Sequence, residues 1–158
     1  MKAKLYLEST VPSYLVARQS RDIVTAGHQA TTREWWEKRR DDFHIFVSEV
    51  VVAEVSRGEK AMADLRLGVI KDFPRLAVTD EVKELAQSLI VSGGLPKKAV
   101  NDAAHIALAA VHEMHFLMTW NCRHIANAEM LRKVQSICRA HSTNCPVVCT
   151  PEELMGTA

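Results

Sequence analysis

An α/β fold built around a mainly parallel sheet is predicted by three features of the 158-residue sequence. Short apolar runs rich in β-branched and aromatic residues alternate with amphipathic segments of helical length. The helical segments open on Ser, Thr or Asn, which satisfy free backbone N–H groups, and several close on Gly. No repeat, low-complexity tract or linker breaks the pattern. Residues 1–158 therefore read as a single domain, long enough for one solid core.

Taken in order, Lys4 to Leu7 reads as a short buried strand. Pro12 is placed to open a helical turn. Ser20 is read as the cap of a long helix running through Trp35, Trp36 and Lys38, with the Trp pair serving core or interface packing. His44 to Val47 is a second strand. Ser48 caps the next helix, Glu49 favours its positive end, and Gly58 ends it. An amphipathic helix covers Lys60 to Lys71, and Arg75 to Val78 is a third strand after Pro74. Thr79 or Asp80 caps a helix that places Val82, Leu85 and Leu89 on one face. Gly93-Gly94 closes it, and an Ala-rich helix runs from about Ala99 to Glu113. Phe116 to Thr119 is a fourth strand, Asn127 caps a helix to Ala140, Val147 to Cys149 is a fifth strand, and Pro151 opens a short terminal helix.

Composition narrows the function. Lys and Arg total 20 against 19 Asp and Glu, for a net charge of +1, which argues against a strongly basic RNA-coating protein. Local basic pairs remain, and Lys97-Lys98 stands just upstream of Asp102. No apolar run has membrane-spanning length, and the amino terminus carries an acid early and no long apolar stretch, so a cytoplasmic protein with no membrane partner is the expectation. The four cysteines, Cys122, Cys138, Cys145 and Cys149, match no strong zinc spacing and read as buried free thiols.

The chemistry concentrates at polar residues that end apolar segments: Glu8, Glu54, Asp102 and Asn121. An acid beside a core-forming run is costly to bury alone. If several such acids converge, a divalent cation satisfies them, and metal-assisted hydrolysis of a phosphate ester is the leading idea. In parallel sheets ligands sit beyond the carboxyl ends of the strands, where Glu8 and Asn121 fall. Asp102 begins a helix, whose dipole favours a carboxylate and a nearby phosphate. Glu54 is placed in mid-helix, where a polar face is the simpler account. His105 lies one turn after Asp102, to orient a carboxylate, touch a phosphate or simply pack; Arg123 and His124 follow Asn121 as phosphate contacts or surface residues. His112 and His115 read as structural.

Four segments, Tyr-Leu-Glu-Ser-Thr-Val-Pro-Ser-Tyr-Leu, Val-Ala-Glu-Val, Asn-Asp-Ala-Ala-His-Ile-Ala-Leu-Ala and Leu-Met-Thr-Trp-Asn-Cys-Arg-His-Ile, resemble in order the motifs of PIN-domain proteins, most closely the VapC-like toxins of bacterial toxin–antitoxin pairs. The resemblance implies a three-layer α/β/α sandwich and an Mg²⁺- or Mn²⁺-dependent endoribonuclease leaving 5′-phosphate and 3′-hydroxyl ends. It implies Glu8, Glu54 and Asp102 as metal ligands, Asn121 at a fourth catalytic position, and Thr119 as a hydroxyl supporting the first acid. It further implies an RNA substrate, a cognate antitoxin and a homodimer. Two positions depart from the motifs: Glu8 stands where Asp is usual, and Asn121 where an acid is frequent. Fewer charged ligands weaken cation binding. The alternative is therefore a PIN-like module that binds RNA or a partner without turnover. A small-molecule phosphohydrolase is a third reading, not favoured by the absence of any clear phosphate-cradling Gly-rich loop.

Overall fold

The computed structural model describes residues 1–157. Five strands, β1 (Ala3–Leu7), β2 (Phe43–Ser48), β3 (Arg75–Leu76), β4 (Phe116–Met118) and β5 (Val147–Cys149), form one sheet in the order β3-β2-β1-β4-β5. Every pairing is parallel. Among the described residues, seven α-helices accompany them: α1 (Thr10–Val16), α2 (Ile23–Arg39), α3 (Glu49–Val55), α4 (Lys60–Ile70), α5 (Asp80–Val91), α6 (Val100–Val111) and α7 (Ala128–Ala140). The strand order runs outward from β1 to β3, then returns across β1 to β4 and β5. Right-handed crossovers on that path put α1–α4 on one face and α5–α7 on the other, a three-layer α/β/α sandwich. The reversal between β1 and β4 is the point at which such sheets open a crevice for ligands.

The central strand is the most enclosed: Leu5, Tyr6 and Leu7 are fully buried. Helix α6 lies close over the sheet because Ala103, Ala107 and Ala110 offer little bulk along the face that also buries Ile106. Across the sheet Trp35 is fully buried, whereas Trp36 is half-buried beside Phe73.

Four boundaries differ from the sequence expectations. Helix α2 is capped by Asp22, whose carboxylate accepts from the Thr25 N–H at 2.9 Å and the Thr25 hydroxyl at 2.8 Å. Ser20 sits too early to reach that turn, and its hydroxyl accepts from the Asp22 N–H instead. The third strand keeps only Arg75 and Leu76, as an edge partner of β2. Helix α6 ends at Val111 because Glu113 adopts a left-handed φ of 56°, which leaves His112 and His115 beyond it. The terminal turn at Pro151–Leu154 is a 3₁₀ helix held by a Thr150–Glu153 capping box. Ser48, Thr79 and Asn127 each accept a backbone N–H at the head of their helices.

Two of the four cysteines, Cys138 and Cys149, are buried; Cys145 is half-buried and Cys122 is exposed, which corrects the expectation of uniformly buried thiols. Among the described residues, no helix is long and apolar enough to cross a membrane.

Candidate functional site

Glu8 is the first residue past β1, and its backbone N–H still donates to Met118 O, so the sheet ladder fixes its position. Its side chain is only 3 % exposed and is therefore costly unless hydrogen-bonded. The residues directly after it supply the donors. Thr10 gives Glu8 Oε1 its backbone N–H at 3.0 Å and also its hydroxyl. Thr119, fully buried past β4, donates its hydroxyl to the same oxygen at 2.7 Å. The Ser9 hydroxyl lies 3.0 Å from Glu8 Oε2.

Glu54 reaches the same place from the other side of β1. It is the penultimate residue of α3, not a mid-helix residue. Its Oε1 takes the Ser9 hydroxyl at 2.8 Å and His105 Nε2 at 2.5 Å. Burial raises the Glu54 carboxyl, whereas the hydrogen bond from His105, the charge that ring carries when protonated, the Ser9 hydroxyl and the charge of Arg57 lower it, and the net direction is below its ordinary value. Ligating atoms of Glu8, Glu54 and His105 all lie within 4.8 Å of one another.

That arrangement is short of positive charge. Ser9 has one hydroxyl hydrogen and faces two carboxylate oxygens, so it can fully serve only one. Two carboxylates within 4.8 Å repel by about 3 kcal/mol at an effective dielectric near 20. One hydroxyl hydrogen bond contributes about 1 kcal/mol. The oxygen-rich donor set fits a hard divalent cation, which would offset the remainder.

Asp102 occupies a second, adjoining cluster. It lies in the first turn of α6, one turn before His105, and is not among the three residues that converge within 4.8 Å. Asn121 Nδ2 donates to Asp102 Oδ1 at 3.0 Å, and His124 Nδ1 lies 3.0 Å from Oδ2. Asn121 Oδ1 accepts from the His124 N–H, so this side chain orients Asp102 and ties down its own turn. The Asn121 N–H donates to the Thr119 hydroxyl. Thr119 thereby links the Glu8 cluster to the Asp102 cluster. Arg123, Lys97 and Lys98 are exposed nearby in sequence.

Ser9, Thr10, Tyr6 and Trp120 are parts of the site that reading the sequence did not assign. The first two carried a signal, since a Ser-Thr pair directly after a buried acid offers it local donors. Tyr6 carried none, being one apolar residue in a strand. Trp120 positions Thr10: its backbone N–H donates to the Thr10 hydroxyl, its Nε1–H donates to Thr32, and His28 stacks on the indole at 4.0 Å between centroids. Three recesses of about 580, 590 and 650 Å³ open at the opposite, amino-terminal edge of the sheet beside Phe43 and His115. None of them contains the converging group of Glu8, Glu54 and His105.

Comparison with protein-family models, with curated proteins and with solved structures finds no match to this chain.

Proposed function

We propose that the chain is a divalent-cation-dependent endoribonuclease, acting in the cytoplasm as the toxin of a toxin–antitoxin pair. The observation that carries this reading is the meeting of Glu8 and Glu54 over a single shared Ser9 hydroxyl at the carboxyl edge of a parallel sheet. Glu8, Glu54 and Asp102 would hold Mg²⁺ or Mn²⁺. When bound, such an ion supplies an acidified water and neutralises charge developing on a phosphodiester.

The chain's own residues do the positioning. Thr10 and Thr119 fix Glu8, His105 fixes Glu54, and Asn121 with His124 fixes Asp102. The amino-terminal end of α6 directs backbone N–H groups and a positive dipole toward a phosphate. Arg123, Lys97 and Lys98 are exposed cations suited to further phosphates of a polynucleotide. RNA as substrate, and an antitoxin as partner, rest on the four motifs that resemble PIN-domain toxins. Ile23 and Val24, 85 % and 62 % exposed at the start of α2, are apolar surface available to an antitoxin or a second copy. Four free thiols suit a reducing compartment.

One observation favours a second reading, a PIN-like module that binds RNA or a partner without turnover. Thr10 and Thr119 already serve Glu8 Oε1, and Ser9 serves Oε2 whenever it turns its hydrogen there, so that acid can be held with no ion. Cleavage of total cellular RNA in Mg²⁺, Mn²⁺ or EDTA separates the two. Metal-dependent cutting that falls on the order of 100-fold or more in Asp102→Asn, beyond the usual cost of losing an outer partner, is expected of the nuclease. A folded protein that cuts nothing in either metal indicates the binding module.

A further inference from the structure

Behind the carboxylates runs a buried chain of hydrogen bonds. The Val51 N–H donates to Ser48 Oγ at 3.3 Å, and Ser48 Oγ lies 2.8 Å from the Tyr6 hydroxyl. That hydroxyl lies 2.7 Å from His105 Nδ1, and His105 Nε2 lies 2.5 Å from Glu54 Oε1. Ser48, Tyr6 and His105 are all 0 % exposed, so each proton must find its acceptor within the chain.

Proton accounting gives the chain a direction. A carboxylate only accepts, so His105 Nε2 carries a hydrogen. The Val51 N–H only donates, so Ser48 Oγ accepts there. If the Ser48 hydrogen then points to Tyr6, the Tyr6 hydrogen points to Nδ1, and every proton is satisfied. In the reverse direction Nδ1 also needs a proton. The imidazole becomes a buried cation, and the Ser48 hydrogen has no acceptor among the described residues. Both consequences are costly in a dry interior.

We propose that Ser48 and Tyr6 lock His105 as the neutral Nε2–H imidazole, which makes it a positioning residue for Glu54 and excludes its ring from the ligand set of a cation. Nδ1 is spent on Tyr6 and Nε2 on Glu54. Of the three side chains that converge, only the carboxylates keep free lone pairs. Glu54 Oε2, which takes no hydrogen bond among the described residues, is the oxygen left for a cation. An all-oxygen set selects Mg²⁺ or Mn²⁺ over the imidazole-seeking Zn²⁺. This selectivity rests on the metal reading above; the state of the ring does not.

The test is a long-range proton–nitrogen correlation spectrum of the full chain carrying isotope-labelled histidine, at neutral pH, with His105 assigned by its loss in His105→Gln. The expected His105 signal has a protonated Nε2 and a bare Nδ1. In Tyr6→Phe Nε2 should stay protonated against Glu54, while Nδ1 loses its donor and the ring is no longer held in one orientation. The variant's Mn²⁺ affinity by calorimetry should fall about 10- to 100-fold, the usual cost of losing an outer partner, and Zn²⁺, which can take the freed Nδ1, should gain relative to Mn²⁺. His105→Gln, which keeps an N–H donor, should bind Mn²⁺ close to wild type, whereas His105→Leu should not. A wild-type ring protonated at Nδ1, or at both nitrogens, overturns the proposal. So does an Nε2 resonance that moves to a metal-coordinated position on adding Mn²⁺ or Zn²⁺. If Tyr6→Phe fails to fold, the wild-type spectrum alone decides. A wild type with the expected ring but no Mn²⁺ binding upholds the lock and overturns the metal reading of the site.

Discussion

Thr119→Val tests the link between the two halves of the site, because it keeps the shape of a fully buried side chain and removes one hydroxyl. That hydroxyl donates to Glu8 Oε1 at 2.7 Å and accepts from the Asn121 N–H at 2.9 Å. A hydrogen bond to a charged group contributes about 1.5–3 kcal/mol, and a stranded N–H costs about 1–3 kcal/mol. Two terms reduce the sum. Thr10 still serves Glu8 Oε1 with its N–H and its hydroxyl, so the carboxylate is not left bare. The added methyl returns about 0.8 kcal/mol of apolar burial. The net expectation is a loss of about 2–3 kcal/mol. For a chain of this length that lowers Tm by about 4–12 °C. Thr119→Ser retains the hydroxyl and loses one methyl, for about 1 kcal/mol. Urea denaturation in EDTA measures stability, and Mn²⁺ calorimetry measures the site. Thr119→Val should be the worse of the two in both. A Val variant within about 0.5 kcal/mol of wild type, the range of neutral surface changes, would refute the reasoning, as would a Ser variant as damaging as Val.

Two further outcomes follow from the same network and from burial. The Glu54 carboxyl is raised by burial but lowered further by its partners, so its folded value lies below its unfolded one. Its contribution is complete above the unfolded value, about 4.3, and is lost as pH falls through the folded value. Wild type should therefore lose ground to Glu54→Gln in acid denaturation series, and a difference that stays constant with pH would contradict the network. Thiol labelling of the native protein should modify Cys122 first, because burial pushes Cys149 up to about 12 and encloses Cys138. All four should react in denaturant, and a native Cys149 as fast as Cys122 would show that its burial is wrong.

Elements with short-range causes were readable along the chain. Ser48, Thr79 and Asn127 cap helices because each side chain reaches an N–H two or three residues on. The same rule failed at Ser20, because Asp22, two positions later, accepts the Thr25 N–H instead. The third strand was overextended because β-propensity in Arg75 to Val78 speaks for an extended backbone but not for a partner. Only Arg75 and Leu76 find one, at the sheet edge. Glu54 reads as a mid-helix residue because α3 is expected to run on to Gly58, whereas it stops one residue after Glu54, whose carboxylate meets Ser9 and His105.

Periodicity, caps and breakers act over a few residues, and they were enough to specify an alternating α/β chain and to put Glu8, Asp102 and Asn121 at the ends of elements. Which of those side chains meet is a property of the strand order. Placing β2 and β4 on either side of β1 brings Glu54 to the Ser9 hydroxyl across 45 positions and Thr119 to Glu8 across 111. The role of His105 depends most on that assembly. Its two ring nitrogens are claimed by Tyr6, 99 positions away, and Glu54, 51 positions away, and only a buried interior that leaves no proton unpaired turns that meeting into one defined tautomer.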